Sequence, residues 1–233
     1  MSRFDFRGLL WPDWMRDAWL MVGGFPKGTS EPHIGQVLYA LAIARRPRII
    51  VETGILHGAG TTPWLAWAAQ EIGALHFCID KDQHACRATT KVLNELGWLV
   101  AQGQSVGSVI AYGDALKVAE NFSPNSIDFL FIDDDHTTTH VQAEIEAFLP
   151  KMRAGSVMLF HDVIGTGPDF EIWDTIKPYG GVRLVNRAYN YPENAPAGGL
   201  GMISIADEDR NGLYDVPPRA VLFTSGQPEI VLP

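Results

Sequence analysis

The sequence predicts an α/β protein built on a doubly wound, mostly parallel sheet, and three observations predict it. Short apolar, β-branched runs alternate along the chain with segments of helical periodicity. The runs are spaced widely enough for a helix between each pair, the crossover that parallel strands need. Four successive runs close on an acid, at Glu52, Asp80, Asp114 and Asp133. That lines one rim of the sheet with carboxylates, on the side where open α/β sheets bind ligands.

The elements follow in order. Ser30 is placed to cap a helix running to about Arg45, with Ile34, Val37, Leu38, Leu41 and Ala42 on one face, and Pro47 ends it. Arg48–Glu52 reads as a buried strand. Then come a helix over Thr61–Ile72, a strand over Leu75–Ile79, a helix over Gln83–Leu96 and a strand over Ser108–Tyr112. A short helix near Leu116 precedes the strand Ile127–Ile132. The helix Thr138–Leu149 presents Val141, Ile145 and Phe148, and the strand Ser156–Phe160 closes on His161 and Asp162. After a short helix over Phe170–Ile176, the runs Val182–Ala188 and Leu200–Ile205 have no helix between them and predict an antiparallel hairpin at one edge. Residues 1–30 form a Trp-rich leader (Trp11, Trp14, Trp19) followed by a Gly23–Gly28 loop. Exposed Trp is costly, so this arm either packs on the domain or serves as a substrate lid or dimer contact. Residues 206–233 are assigned only as a C-terminal extension, and 31–205 as the main domain.

Composition narrows the function classes. The chain has 233 residues, 46% hydrophobic and 19% charged, with net charge −9. This suits one soluble domain with small extensions. The acidic balance argues against nucleic-acid or membrane-surface partners, which need clustered Lys and Arg. Cys78 and Cys86 give no disulfide framework, which fits a reducing cytoplasm. Pro12, Asp13, Arg16 and Asp17 interrupt the first twenty residues, so no signal peptide is expected there. No apolar run approaches the ~18 residues of a membrane span.

The first rim loop reads Glu52-Thr-Gly54-Ile-Leu-His57-Gly58-Ala-Gly-Thr61. Glycines let the main chain approach a ligand, and the following helix offers free N–H groups. Its spacing is neither the dinucleotide G-x-G-x-x-G nor a P-loop. Asp80 can accept from ribose hydroxyls or be a solvated turn residue. Asp114, in Gly113-Asp114-Ala115, can accept from an adenine amino group or simply cap a helix.

The densest cluster is Asp133-Asp134-Asp135-His136, directly after an apolar strand. Three acids in a row repel one another unless a cation or hydrogen bonds compensate. His161 and Asp162 end the next strand, so Asp133, His161 and Asp162 can converge on a divalent cation, or the last two can merely cap the loop. A histidine ligand moves the preference from Mg²⁺ towards Mn²⁺, Fe²⁺ or Zn²⁺. His136 can act as a general base. His140 is expected to face solvent, and His33, His57, His76 and His84 have no comparable company, although His57 lies in the first rim loop.

These residues resemble the motifs of class I S-adenosylmethionine-dependent methyltransferases, and the segment from Ile127 to Val163 resembles the family-24 type most specifically. That type is related to catechol and macrolide-sugar O-methyltransferases. The resemblance covers roughly Glu31 to Ile205. It implies a Rossmann-like sheet of seven strands in the order 3-2-1-4-5-7-6, with the last strand antiparallel. It also implies S-adenosylmethionine as cofactor, with Glu52, Gly54, His57, Gly58 and Thr61 at its methionine end, Asp80 at its ribose and Gly113, Asp114 and Ala115 at its adenine. Asp133, His161 and Asp162 would hold a divalent cation, Mg²⁺ in the metal-dependent relatives, with Mn²⁺ or Fe²⁺ as alternatives. Asp133 would also border the cofactor, and His136 would be the base. Two departures stand out: Asp134 replaces the usual glycine of an Asp-Gly-Asp-His loop, and His161 replaces an acid or amide. The expected activity is metal-assisted O-methylation of a small-molecule hydroxyl by a cytoplasmic protein, with a homodimer as a further expectation. The alternatives are metal-independent N- or C-methylation and a non-catalytic cofactor-binding scaffold.

Overall fold

The computed structural model describes residues 13–21, 32–102, 104–165, 172–185, 197–205 and 230–231. The expectations for Trp11, the Gly23–Gly28 loop, Ser30 and most of the C-terminal extension lie outside the described residues. Among the described residues, no helix is long and apolar enough to cross a membrane.

The sheet is built from β1 (Ile49–Thr53), β2 (Leu75–Asp80), β3 (Gly107–Tyr112), β4 (Ile127–Ile132), β5 (Met152–Gly165), β6 (Val182–Val185), β7 (Ala197–Ser204) and β8 (Ile230–Val231). Its order is β6-β7-β5-β4-β1-β2-β3-β8. Read from β3 to β6, this is the expected seven-strand order. The two-residue β8 adds an antiparallel partner beside β3, which the Pro-rich tail did not announce. β1 to β5 are parallel, and β7 runs antiparallel to both β5 and β6.

Period-two alternation sends the strands' side chains to two faces. Ile49 and Val51 join Phe77, Leu130, Met158 and Phe160 under α5 (Ala115–Ala119), α6 (Thr138–Phe148) and α7 (Ile172–Ile176). Ile50, Phe129, Phe131 and Leu159 face α2 (Pro32–Arg45) and α3 (Thr62–Ile72), and Cys78 and Ile110 face α3 and α4 (Gln83–Glu95). Each fully buried large side chain contributes about 1.5–3 kcal/mol. α1 (Asp13–Met21) docks outside α3. Trp14 sits edge-on to Trp64, Trp67 and Trp98, with ring centroids 5.1, 5.6 and 5.2 Å away, and Met15 is buried beside it. For these residues the arm packs on the domain, and Trp14 is not on the wall of the cavity described below.

The strand β5 differs from the sequence expectation, because it does not stop at Phe160. Its pairing with β7 continues through His161 to Gly165, with a one-residue register slip between His161 and Ile164. At this bulge Asp162 adopts φ +52°. A bulge re-aims side chains, and an aspartate tolerates the left-handed conformation better than most residues.

Candidate active site

The β-ladder extends past the strand ends and fixes the rim. The Gly54 amide donates to the Ile79 carbonyl at 2.9 Å, Gly113 to Asp80 at 2.9 Å, and Asp133 to Thr53 at 3.0 Å. Above this rim lies an open cavity of about 280 Å³, close to the lower end of the ~300–1,000 Å³ typical of small-molecule sites.

One side of the cavity is the first rim loop. Gly54 and Leu56 both have positive φ, at +77° and +46°. This turns the Ile55 and Leu56 amides onto one Asp80 oxygen, at 3.0 and 3.3 Å, while the other Asp80 oxygen accepts from the Asp82 amide at 2.8 Å. The loop is therefore a backbone nest whose anion is the Asp80 carboxylate. Asp114 caps α5 by accepting from the Leu116 amide at 2.9 Å. Both acids also line the cavity, with Gly54, Thr61, Gly113 and Ala115.

Three residues expected at the cofactor, Glu52, His57 and Gly58, do not themselves line this cavity. Glu52 is fully buried and accepts from Thr61 Oγ1 at 2.6 Å, with His76 Nε2 at 3.3 Å from its other oxygen. It reaches the cavity only through Thr61. Gly58 packs so closely on α4 that a Cβ there would meet the Thr89 backbone at 2.6 Å. His57 is exposed and off the cavity wall. His76 does have company: buried beside Glu52, its Nδ1 is 3.1 Å from Ser108 Oγ. The register that sets Glu52 opposite Cys78 brings this trio together.

The other side of the cavity holds the ionic cluster. Asp133 Oδ1 lies 2.9 Å from His161 Nδ1 and 3.2 Å from His136 Nε2. Asp162 approaches both imidazoles, at 3.3 Å from His161 Nδ1 and 3.6 Å from His136 Nε2. The β5 bulge turns two consecutive residues, His161 and Asp162, into the same cluster. Burial alone would push Asp133 up, but the two imidazoles outweigh it and hold the carboxyl well below the usual range. Burial would likewise push His136 down, but Asp133 and Asp162 outweigh it, and its pKa is raised.

Two residues that sequence reasoning passed over sit beside this cluster. His140 is turned inward, with Nε2 3.1 Å from Asp134 Oδ2, and both line the cavity. Glu144 lies behind them, fully buried. A signal was present: Glu144 falls between Val141 and Ile145, on the core-facing stripe of α6, and one turn beyond His140.

Comparisons with known proteins bear on this geometry. Residues 51–163 match the family-24 model described as a methyltransferase domain. The O-methyltransferase TomG from Streptomyces achromogenes, solved with S-adenosylmethionine, is 16% identical with a TM-score of 0.65, covering 84% of this chain and 91% of that one. An O-methyltransferase from Bacillus cereus, solved with S-adenosylhomocysteine, is 20% identical with a TM-score of 0.67, covering 85% and 93%. At such identities the likeness is one of fold. Among curated proteins, the uncharacterized protein y4gI of Sinorhizobium fredii is 27% identical over 179 residues, 74% of this chain. The chain spans 19% of the length of that relative. With the strand order and the rim, these matches give the chain the fold of O-methyltransferases solved with S-adenosylmethionine or S-adenosylhomocysteine, and give its residues 51–163 a likeness to the family-24 methyltransferase domain.

Proposed function

We propose that the chain methylates a hydroxyl of a small molecule, using the Gly54–Thr61 side of the cavity for the cofactor and the Asp133–His136–His161–Asp162 side for the acceptor. One observation carries this reading: both groups line a single cavity across neighbouring strand ends. Bound S-adenosylmethionine would supply a sulfonium-activated methyl group. The residues suit it, since Asp80 and Asp114 offer acceptors to hydroxyl and amino donors and loop amides border the floor. Asp133 and Asp162 each place a carboxylate oxygen within 3.3 Å of His161 Nδ1, a donor set whose chemistry suits a divalent cation. Asp133, His161 and Asp162 would hold it, and it would make an acceptor hydroxyl more acidic.

The protein's own share is alignment and proton removal. His136 Nε2 faces Asp133 and Asp162. These carboxylates favour the tautomer with its hydrogen on Nε2, leave Nδ1 to take a proton, and stabilise the imidazolium that results. The acidic surface supports a small-molecule acceptor over nucleic acid.

The test is methyl transfer from labelled S-adenosylmethionine across an acceptor panel. His136→Ala is expected to cut turnover by roughly 10²–10⁴-fold while S-adenosylhomocysteine binding, read by calorimetry, persists. Retained turnover, or loss of cofactor binding with it, would defeat the assignment. A second reading is favoured by the Asp133–His136 contact itself. A carboxylate-paired imidazole can remove a proton with no cation present, so transfer can be metal-independent. Activity that survives exhaustive chelation would select that reading.

A further inference from the structure

A second set of donors meets where α6 leaves the β4 loop. Asp134 Oδ2 lies 3.1 Å and Glu144 Oε2 lies 3.8 Å from the same atom, His140 Nε2. One ligand atom from each residue falls within 4.8 Å of the others. His140 and Glu144 are one helical turn apart on α6, and Asp134 reaches them from the loop.

Glu144 is the informative member. Its side chain is 0% exposed, and neither carboxylate oxygen has a hydrogen-bond partner. Thr53 Oγ1 and the Asp134 carboxylate lie beside it, close enough to act on its charge but outside good hydrogen-bond geometry. A buried carboxylate in this position needs neutralising, by a proton or by a cation. A proton satisfies one oxygen. His140 Nε2 has at most one hydrogen, and Asp134 is the nearer acceptor. A cation meets all three side chains at once, and the cavity wall formed by Asp134 and His140 gives it a route in and room for water.

We propose that Asp134, His140 and Glu144 form a binding site for a divalent first-row transition metal, separate from the Asp133, His161 and Asp162 set. Two carboxylates and one imidazole favour Zn²⁺, Mn²⁺ or Co²⁺ over Mg²⁺ and Ca²⁺. An ion there ties the β4 loop to α6 and places positive charge on the acceptor side of the cavity. Asp134, just beyond the end of β4, supplies the ligand that completes it. The site does not depend on the methyl-transfer reading.

The test titrates the chelator-stripped full chain with Co²⁺, reading stoichiometry by calorimetry and ligand field by visible absorption. Wild type is expected to bind Co²⁺ at this site, and His140→Ala and Glu144→Gln each to weaken that binding at least tenfold. The Asp133→Asn/His161→Ala double variant is expected to keep it. Two equivalents in wild type support both cation sites. One equivalent, lost in His140→Ala but kept in the double variant, supports this site and removes the other. Metal-free melting of each variant controls for folding, and His140→Ala, at a partly exposed position, serves if Glu144→Gln does not fold. No Co²⁺ binding in wild type, or binding indifferent to both α6 variants, overturns the proposal.

Discussion

The two halves of the sheet rim carry the same residue type and hold it differently. Glu52 at the end of β1 is held by the side chains of Thr61 and His76, but over β2 and β3 the rim carboxylates are gripped by main chain. Asp80 takes the amides of Ile55, Leu56 and Asp82, and Asp114 takes that of Leu116. Over β4 and β5 the carboxylates of Asp133, Asp134 and Asp162 face the imidazoles of His136, His140 and His161. A carboxylate fixed by amides shapes a loop and cannot leave without unmaking it. A carboxylate facing an imidazole can exchange that partner for a proton or a cation. On the proposed reading, the first half holds a ligand in one shape and the second changes protonation or ligation during the reaction.

The halves touch at Gly54, and breaking that contact is expected to have the largest effect. A Cβ at Gly54 would lie 2.2 Å from the Asp133 carbonyl oxygen and 2.5 Å from Asp134 Cα, at φ +77°. Both obstacles are backbone, so nothing can swing aside. Gly54→Ala is expected to cost at least ~3 kcal/mol, combining overpacking with a strained left-handed residue. Urea unfolding of the soluble fraction measures it. A change under about 0.5 kcal/mol, the range of an ordinary surface substitution, would show that the two halves can separate.

The next test separates the halves by function. Asp80→Asn keeps the shape but weakens the anion that gathers three amides. A loss of about 1–3 kcal/mol in cofactor affinity, stability or both is expected, with turnover at saturating cofactor largely preserved. His136→Ala should give the reverse pattern, with turnover lost and cofactor affinity kept. Calorimetry with S-adenosylhomocysteine and single-turnover transfer together read both. Equal losses of affinity and turnover in the two variants would erase the distinction between the halves.

Much of this was legible in the sequence where one physical signal dominated. β4 matches its expected limits, Ile127–Ile132, because an apolar run is bounded by Asn125 and Ser126 on one side and by acids on the other. The rim acids were legible because strand ends announce themselves. β5 was cut short because bulges are silent in an alternating pattern. Arg153 to Gly155 and the Asp162 kink belong to a strand whose register slips twice. Glu144 and His76 were passed over for another reason: a polar residue inside an apolar pattern is ordinarily on the solvated side. For Glu144 only its place between Val141 and Ile145 hints otherwise, and packing puts both residues at 0% exposure.

Cys86 offers the gentlest probe of the comparison, because it sits under the amide-held half. Its thiol is buried on α4 and contacts the Asp80 carbonyl at 3.5 Å. Burial, followed by the Asp80 and Asp82 carboxylates, pushes its pKa from 9.0 up to about 12. The sign follows from linkage: the folded state holds this proton more tightly than the unfolded chain, so the contribution to stability is complete below about pH 9 and is lost as pH rises towards 12. Wild-type protein should therefore resist iodoacetamide at pH 8–9, reacting only as fast as it opens. Asp82→Asn removes one of the smaller contributions, so the thiol pKa should fall and alkaline alkylation should quicken modestly, with burial still dominant. A large acceleration would mean that α4 had loosened from the sheet. No change would mean that the Asp82 charge is screened by solvent, and that the carboxylates on this side act through their amide contacts rather than through their field.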